Sequence, residues 1–267
     1  MLCRICKKPS HVIFNAQILK KYTIQYFFCK NCEFLQTEEP YWLDEAYQSA
    51  INITDTGVLT RNISLSKQAA VLLYFLFDRH GKFVDYAGGY GIFTRLMRDV
   101  GFDFYWYDIY AENLMARGFE YTSDLSQTSI ELVTTFESFE HFVDPLQDIE
   151  KMLAILEVSG SKNILFTTEL LPKKVPVPGD WWYYGLDHGQ HIAFYSDKTL
   201  ALIAQKYRVN YYSFGSLHLF TSKKINHVYY ELLIKLSMNR LFPYVQKNMT
   251  GRAVQDMNFL KNRARLQ

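Results

Sequence analysis

Four cysteines form two Cys-x-x-Cys pairs near the start of the sequence, Cys3 with Cys6 and Cys29 with Cys32. Each pair can present two thiolates to one ion, and two pairs complete a tetrahedral structural zinc site with no open coordination position. Two disulfides and a thioredoxin-like redox pair are the competing interpretations. The first residues lack the apolar core of an export signal, and neither pair follows a βαβ pattern, so the sequence favours zinc.

A glycine-rich loop is the second candidate for chemistry, because the segment VDYAGGYGIF contains Gly88, Gly89 and Gly91. Glycine permits positive φ and close approach of a ligand, so a glycine cluster between a strand pattern and a helix pattern indicates a nucleotide loop. A dinucleotide fingerprint G-x-G-x-x-G that began at Gly89 would need a third glycine where Thr94 stands. The loop therefore fits S-adenosylmethionine, which has no phosphate, better than a dinucleotide.

An acidic residue at the end of the next strand pattern supports a nucleoside site. Asp108 follows Gly91 by 17 residues. An acid about 20 residues past such a loop accepts hydrogen bonds from ribose hydroxyls in nucleotide-binding folds. We expect Asp108 to do so here.

Two histidines lie in the polar, aromatic segment DHGQHIAFYS. His191 is the predicted proton acceptor, because a free imidazole titrates near neutral pH, and His188 is predicted to assist or replace it. A loop histidine that only orients its neighbours is the structural alternative. The surrounding segment VPVPGDWWYYGLDHGQH has a composition suited to stacking on sugar or base rings, or to a lid that packs on itself. Tyr41, Trp42 and Tyr47 are further aromatic candidates beside a ligand cleft, with simple packing as the alternative.

Alternating strand and helix patterns predict the scaffold for these residues. The segments KFVDYA, FDFYWYD, IELVTTFE and NILFTT are predicted strands, and RVNYYSFG with HLFTS is a predicted antiparallel hairpin. The pattern predicts an α/β fold with a doubly wound, mostly parallel sheet and an antiparallel last strand. Ligands bind at the carboxyl ends of such strands, where Asp85, the glycine loop, Asp108 and Glu137 are expected.

Helix signals fall between these strands. The spacing of apolar residues predicts helices over Ser64–His80 and over Ile92–Val100, the second one closed by Gly101. A further helix is predicted to begin with Asp144 as N-cap and Pro145 at the first helical position. Between the cysteine pairs, short strand patterns predict a small zinc-ribbon-like module.

The sequence predicts three segments: a zinc-binding module at residues 1–40, a catalytic domain at 41–222 and a helical extension at 223–267. The extension begins with the amphipathic segment NHVYYELLIKLSMNRL. Its tail is basic, with Lys247, Arg252, Lys261, Arg263 and Arg265.

Composition narrows the class of partner. The 267 residues include 29 basic and 27 acidic side chains, a net charge of +2, which gives no strong electrostatic reason to expect a nucleic acid or a membrane surface. The longest apolar run, Ala69–Phe77, is far shorter than the roughly 20 residues of a bilayer-spanning helix. We therefore expect a cytoplasmic protein that acts on a small molecule.

Three segments resemble successive motifs of the Rossmann-like S-adenosylmethionine-dependent methyltransferases: VDYAGGYG, YWYDIY and LVTTFESFEHFVDPLQDIEKML. Within that superfamily, the paired Cys-x-x-Cys motifs and the segment GQHIAFYS resemble bacterial methyltransferases of polysaccharide and nucleotide-sugar biosynthesis, including zinc-containing sugar C-methyltransferases. The similarity extends to about Ser222. The resemblance implies cofactor contacts from Ala87, Gly88, Gly89, Tyr90, Gly91, Asp108, Ile109, Glu137 and His141.

The resemblance also implies a sugar or nucleotide-sugar acceptor. Sugar C-methyltransferases of this kind read Tyr-x-Glu-His where this chain has His188, Gly189, Gln190 and His191, so oxygen or nitrogen methylation stays open beside carbon methylation. A ribosomal-RNA methyltransferase with a zinc module is one alternative, and a non-catalytic module that keeps the cofactor fold as a scaffold is another. The sequence leaves the oligomeric state open.

Overall fold

The structure is a computed structural model, and it describes residues 1–48 and 55–264. The chain forms two compact units that alternate along the sequence. The first unit comprises Met1–Ile53, Phe136–Ala154 and Phe166–Lys223, and the second comprises Thr54–Thr135, Ile155–Leu165 and Lys224–Gln267. The division predicted at residues 40 and 222 stays a prediction.

In chain order the strands are β1 (His11–Ile18), β2 (Tyr22–Phe28), β3 (Leu35–Thr37), β4 (Lys82–Tyr86), β5 (Asp103–Tyr107), β6 (Ile130–Thr135), β7 (Ile164–Thr167), β8 (Ala193–Phe194), β9 (Asn210–Phe214) and β10 (Leu217–Thr221). The helices are α1 (Leu43–Ala46), α2 (Val58–Leu76), α3 (Ile92–Val100), α4 (Pro145–Ile155), α5 (Asp197–Tyr207), α6 (His227–Leu236), α7 (Phe242–Asn248) and α8 (Ala253–Ala264).

A four-stranded antiparallel sheet carries the N-terminal part of the first unit, in the order β1-β2-β3-β8. The short strands predicted between the cysteine pairs correspond to β1 and β2. β8 was not predicted, because it is two residues long and pairs Phe194 with Leu35 from the far end of the sequence. Apolar side chains from the N-terminal strands and from the segment before β8 form one core within the first unit, in which Tyr26, Trp42 and Tyr184 are buried.

The larger sheet has six strands in the order β5-β4-β6-β7-β10-β9. β4 runs parallel to both β5 and β6. β9 and β10 form an antiparallel hairpin at one edge, joined through Gly215 at φ 60°. The predicted α/β class, with a mostly parallel sheet and an antiparallel last strand, is confirmed.

The sequence predicted the capping residues of the helices better than it predicted where the helices begin and end. Gly101 ends α3 at φ 127°, as predicted, and Asp144 Oδ1 accepts a hydrogen bond from the Gln147 backbone N–H at 3.2 Å before α4. α2 begins at Val58, upstream of the predicted start, and ends before Phe77, whose backbone is extended. The predicted end at His80 is therefore wrong. α5 was not predicted, although Ser196 and Thr199 form a reciprocal capping box at its start.

The last helix, α8, is joined to α3 by an ion pair within the second unit. Arg98 is 2% exposed and donates two hydrogen bonds to the Asp256 carboxylate, at 2.8 and 2.7 Å. Arg252, one of the residues of the predicted basic tail, lies 3.3 Å from Asp103. Arg265 lies outside the described residues. In the part of the chain that the structure describes, no helix combines the length and the apolar character that crossing a membrane requires.

Candidate functional site

The glycine loop of the second unit connects β4 to α3. Ala87 and Gly89 adopt positive φ, 56° and 54°, and Gly91 caps the N-terminus of α3 at φ 81°. A Cβ atom at Gly88 would lie 2.7 Å from Trp106 Cδ1 and 2.8 Å from Asp85 Oδ2. Only glycine fits at that position, so the sequence signal reflects a real packing requirement.

Asp108 is bound directly to this loop. Its Oδ2 atom accepts a hydrogen bond from the Gly89 N–H at 2.9 Å, and its Oδ1 atom accepts from the N–H groups of Tyr110 and Ala111, at 2.7 and 2.9 Å. Each carboxylate oxygen can accept more than one hydrogen bond, so acceptor capacity remains for a ligand. The structure thus brings Asp108 and the loop together, and places Ile109 beside them with 64% of its surface exposed. Their contact with a cofactor stays a prediction.

Residues around the loop were missed by the sequence interpretation. Trp106 donates its indole N–H to the Gly89 backbone oxygen at 2.8 Å. The Asn113 side chain lies so close to Gly91 that a Cβ atom there would be 2.6 Å from Asn113 Oδ1. The backbone oxygen of Tyr90 accepts hydrogen bonds from Leu114 and Met115, at 3.1 and 3.0 Å. These neighbours follow β5 without a recognisable motif, and only the fold reveals them.

Asp85 lies beneath the loop and is 2% exposed. Its carboxylate accepts hydrogen bonds from the hydroxyls of Thr94 and Thr134, at 3.0 and 2.9 Å. Burial opposes ionisation and raises the pKa of Asp85 to about 7, although both hydroxyls favour the charged form. The stability of the loop region should therefore respond to pH.

Glu137, a predicted cofactor contact, lies in the first unit just after β6. Its backbone N–H donates to Thr167 Oγ1 at 2.8 Å, and the Thr167 hydroxyl donates to the Glu137 carboxylate at 2.8 Å. Glu137 adopts φ 52°, a region that non-glycine residues seldom occupy. Its role toward a cofactor stays a prediction.

Three histidines of the first unit form one cluster. The ring of His191 lies 4.9 Å from the ring of His141 and 4.8 Å from the ring of His188, centroid to centroid. His141 belongs to the 3₁₀ turn Phe139–His141. The backbone N–H of Ile192, next to His191, donates a hydrogen bond to the backbone oxygen of Glu140 in this turn, at 2.8 Å. The structure thus groups His141 with the two histidines predicted as catalytic.

A hydrogen bond to a backbone atom sets the tautomer of His191 and of His188. His191 Nδ1 lies 2.6 Å from the Tyr183 backbone oxygen, which can only accept, so Nδ1 donates and the neutral ring has its lone pair on Nε2. His141 Nδ1 lies 3.1 Å from the Gln190 backbone oxygen and is also in reach of a hydroxyl. His188 is the opposite case, because its Nδ1 accepts from the Gln190 N–H at 3.1 Å. Neutral His188 therefore carries its proton on Nε2.

The N-terminal part of the first unit holds the segment that carries these histidines. Trp42 donates its indole N–H to the Gly189 oxygen at 2.7 Å, and the Gln190 side chain donates to the Ala46 oxygen at 2.7 Å. The Tyr47 hydroxyl lies 2.9 Å from His141 Nδ1. Burial lowers the pKa of His141 to about 4, so this ring is neutral at physiological pH.

The four cysteine sulfurs lie together in the first unit, all within 4.8 Å of one another. Cys3 Sγ is 3.5 Å from Cys32 Sγ, and Cys6 Sγ is 3.4 Å from Cys29 Sγ. A disulfide requires about 2.05 Å, whereas ligands about 2.3 Å from a tetrahedral zinc ion lie roughly 3.8 Å apart. The spacing favours a shared ion over two disulfides.

The two Cys-x-x-Cys turns have the same backbone geometry. In one turn Lys7 donates its N–H to the Cys3 oxygen at 3.0 Å, and in the other Glu33 donates to the Cys29 oxygen at 2.7 Å. Lys7 and Glu33 also share positive φ, 57° and 61°. Two matching turns that face each other are a donor set which fits one tetrahedral ion.

The aromatic segment predicted to stack on a ligand divides its side chains between core and solvent. Tyr183 and Tyr184 are buried, and the Tyr184 hydroxyl donates to the Pro176 oxygen at 2.7 Å. Trp182 is 76% exposed. Trp182 is therefore the most exposed aromatic side chain of this segment, and the two tyrosines are part of the packed core.

Comparison with known proteins identifies a family. The family described as "Methyltransferase domain" matches residues 61–211, more than half of the 267-residue chain. That range includes the glycine loop, Asp108 and the three clustered histidines. No curated protein sequence matches.

Several solved structures are similar at low identity. An O-methyltransferase family protein from Burkholderia thailandensis shares 15% identity over 67% of this chain and 66% of its own, with a TM-score of 0.45. Human N-acetylserotonin methyltransferase, solved with SAM, shares 12% identity over 68% of this chain and 66% of its own, with a TM-score of 0.42. Magnesium protoporphyrin IX methyltransferase from Synechocystis PCC 6803, solved with SAH, shares 13% identity over 68% of this chain and 93% of its own, with a TM-score of 0.42. The chain spans less than two thirds of the first two proteins.

Proposed function

Since the chain belongs to the methyltransferase-domain family, we propose that it transfers a methyl group from S-adenosylmethionine to a small-molecule acceptor. The observation that carries the proposal is the family match over residues 61–211, which contains both the glycine loop and Asp108. The hydrogen bond from Gly89 N–H to Asp108 supports it further, because it holds a carboxylate beside the glycine loop.

The residues around the glycine loop fit such a cofactor. Backbone at Gly88 and Gly89 is bare, and Asp108 retains acceptor capacity for ribose hydroxyls. S-adenosylmethionine bound there would supply an electrophilic methyl group. The protein must hold the acceptor in line with that methyl group and take up its proton.

We assign proton uptake to His191. Its Nδ1 lies 2.6 Å from the Tyr183 backbone oxygen, so the neutral ring carries its proton on Nδ1 and its lone pair on Nε2, the nitrogen that would take the acceptor proton. His188 is less suited, because its Nδ1 lone pair already accepts from the Gln190 N–H. His188 is then a donor through Nε2 and can orient an acceptor oxygen.

The acceptor proposed is a sugar or nucleotide-sugar. This follows from the resemblance in the Cys-x-x-Cys pairs and GQHIAFYS, and the exposed indole of Trp182 offers a face for a sugar ring. The ribosomal-RNA alternative is weakened by the near-neutral net charge of +2 and by the ion pair of Arg252 with Asp103.

A structural zinc ion held by Cys3, Cys6, Cys29 and Cys32 completes the proposal. The matched turns support it, and four thiolates leave no open position for chemistry. The ion would substitute for a larger core around β1–β3.

The test is a binding and transfer experiment on the full chain. Calorimetry should detect S-adenosylmethionine binding and no tight NAD binding. Transfer of a labelled methyl group is then screened with nucleotide sugars and with ribosomal RNA. Methylated nucleotide sugar supports the proposal, methylated RNA selects the alternative, and binding without transfer to any acceptor selects the non-catalytic scaffold.

A further inference from the structure

Helix α8 lies outside residues 61–211, which match the methyltransferase-domain family, and it contacts other parts of the second unit. One of these parts is α3. Asp256 is buried and accepts hydrogen bonds from Arg98 on both carboxylate oxygens, and just before α8 the Arg252 N–H donates to the Arg98 backbone oxygen at 3.0 Å. A bidentate arginine–carboxylate pair adds geometric specificity to a contact, so this pair fixes the position of α8 on α3.

A second contact joins α8 to segment 113–120, which follows β5. The ring of Phe259 lies 5.9 Å from the ring of Phe119, centroid to centroid, and the guanidinium of Arg98 lies 3.7 Å from the centroid of the same Phe119 ring. Leu260 packs against Gly118, because a Cβ atom at Gly118 would overlap the Leu260 side chain. Segment 113–120 is therefore shaped to fit beneath α8.

Hydrogen bonds connect segment 113–120 to the glycine loop. The Glu120 carboxylate accepts from the Asn113 side-chain amide at 2.8 Å and from the Gly118 N–H at 3.0 Å. The Asn113 amide oxygen accepts from the Ala116 N–H at 2.9 Å and lies against Gly91. A displacement of Gly118 is therefore passed to Gly91 through only two side chains, those of Glu120 and Asn113.

A second connection to the glycine loop passes through Trp106 in β5. The Phe119 backbone oxygen accepts the Trp106 backbone N–H at 2.8 Å. The Trp106 indole N–H in turn donates to the Gly89 oxygen. Because Phe119 is the residue that Phe259 contacts, this connection also begins beneath α8.

We propose that α8 positions the glycine loop, and that Phe259 and Leu260 are its positioning residues. The two side chains hold Phe119 and Gly118, and the hydrogen bonds from segment 113–120 and from Trp106 hold the loop. Glycine-rich backbone has many accessible conformations, so fixing it in advance lowers the entropic cost of binding a ligand. The inference rests on the proposed function in one respect, that the ligand of the loop is S-adenosylmethionine.

The first measurement is calorimetry of S-adenosylhomocysteine binding to the full-length protein. Leu260→Ala and Phe259→Ala should each weaken binding about 2- to 30-fold, the range for residues that are coupled to a site without touching its ligand. Leu260→Met conserves the side-chain volume and should keep the parental affinity. Val254→Ala is the matched control on the same helix, since Val254 is 67% exposed, and it should keep the parental affinity as well.

A second control separates positioning from global stability. Val245 in α7 is buried, so Val245→Ala should lower the Tm but leave the affinity for S-adenosylhomocysteine unchanged. Each affinity is measured at a temperature at which circular dichroism shows the variant to be folded. If Val245→Ala weakens binding as much as Leu260→Ala does, the effect is one of stability and the proposal is wrong.

The second measurement follows the loop without a ligand, by NMR of protein labelled with ¹⁵N at tryptophan. The indole N–H resonance of Trp106, assigned by its loss in Trp106→Phe, reports the hydrogen bond to Gly89. Leu260→Ala and Phe259→Ala should shift this resonance, and Val254→Ala should not.

An unchanged Trp106 resonance in both α8 variants, or an unchanged affinity in both, would overturn the proposal. A parent protein that binds no S-adenosylhomocysteine, with a Trp106 resonance that shifts as expected in both variants, keeps the coupling of α8 to the loop and removes the proposed function. The two proposals therefore fail separately.

Discussion

His191 donates its Nδ1–H to the Tyr183 backbone oxygen at 2.6 Å. His188, three residues earlier, instead accepts the Gln190 N–H on Nδ1. Two neighbouring histidines thus present opposite groups, a lone pair on Nε2 of His191 and an N–H on Nε2 of His188. This difference makes His191 the candidate base and His188 a candidate hydrogen-bond donor.

His191→Ala should lower the rate of methyl transfer by about 10² to 10⁴, the contribution of a positioned general base, with little change in cofactor affinity. Single-turnover methylation of an acceptor found by the nucleotide-sugar screen measures the rate, and calorimetry measures the affinity. His191→Gln should not restore the rate. The comparison variant is His188→Ala, for which we expect a smaller loss. A near-parental rate in His191→Ala would return His191 to a structural role.

The sequence predicted His188 and His191 as a pair but could not predict what separates them. The tautomer of each ring depends on Tyr183 and Gln190 backbone atoms, whose placement follows from the paths of the chain around β8. His141 joins the cluster across the sequence through the Ile192–Glu140 hydrogen bond. Periodicity and motif spacing carry no information on such contacts.

The cysteine pairs were easier to interpret, because ligand spacing is a local property of the chain. Purified without chelator, the protein should contain one zinc ion per chain at Cys3, Cys6, Cys29 and Cys32. Elemental analysis measures the metal, and Cys29→Ser should lose it together with thermal stability, because β1–β3 form too small a sheet to fold alone. Ser10→Ala, a change in the same segment that removes no sulfur ligand, should keep the metal. Metal-free protein, or disulfides under reducing conditions, would contradict this prediction.

Asp108→Ala should weaken S-adenosylmethionine binding by roughly 1.5 to 3 kcal/mol, the scale of a lost hydrogen bond to a charged group. Asp108 also bonds to Gly89, Tyr110 and Ala111, so loss of loop structure has to be separated from loss of ribose contacts. Calorimetry with S-adenosylhomocysteine and its 2′-deoxy analogue does so. The parent should prefer the ribose form, and the variant should lose that preference. A preference retained by the variant would place the ribose elsewhere.

The strands β4 and β5 beside the glycine loop were predicted well, because both are short runs rich in apolar and aromatic residues, and β4 is buried along most of its length. The roles of Trp106 and Asn113 were not predicted, because both residues contact the glycine loop only in the folded protein. The raised pKa of Asp85 was not predicted for the same reason. An aspartate at the end of a strand gives no sign, in the sequence, of how much water reaches it.

Asp85→Asn should change the pH dependence of stability. Burial raises the pKa of Asp85 from its usual 3.8 to about 7 in the folded protein, so between these values the folded state holds a proton that the unfolded state has released. The free energy of unfolding therefore falls as pH rises from about 4 to 7, by up to something on the order of 4 kcal/mol, and no further above that range.

The asparagine variant lacks this titration, and its amide can still bond to the hydroxyls of Thr94 and Thr134. The free energy of unfolding of the variant minus that of the parent should therefore increase as the pH rises from about 4 to 7. Denaturant titrations at several pH values, with the exposed residue Asp124 changed to Asn as the control, measure the difference. A constant offset between Asp85→Asn and the parent at every pH would show that Asp85 is ionised in the folded protein across the window, with its carboxylate stabilised by the two threonine hydroxyls.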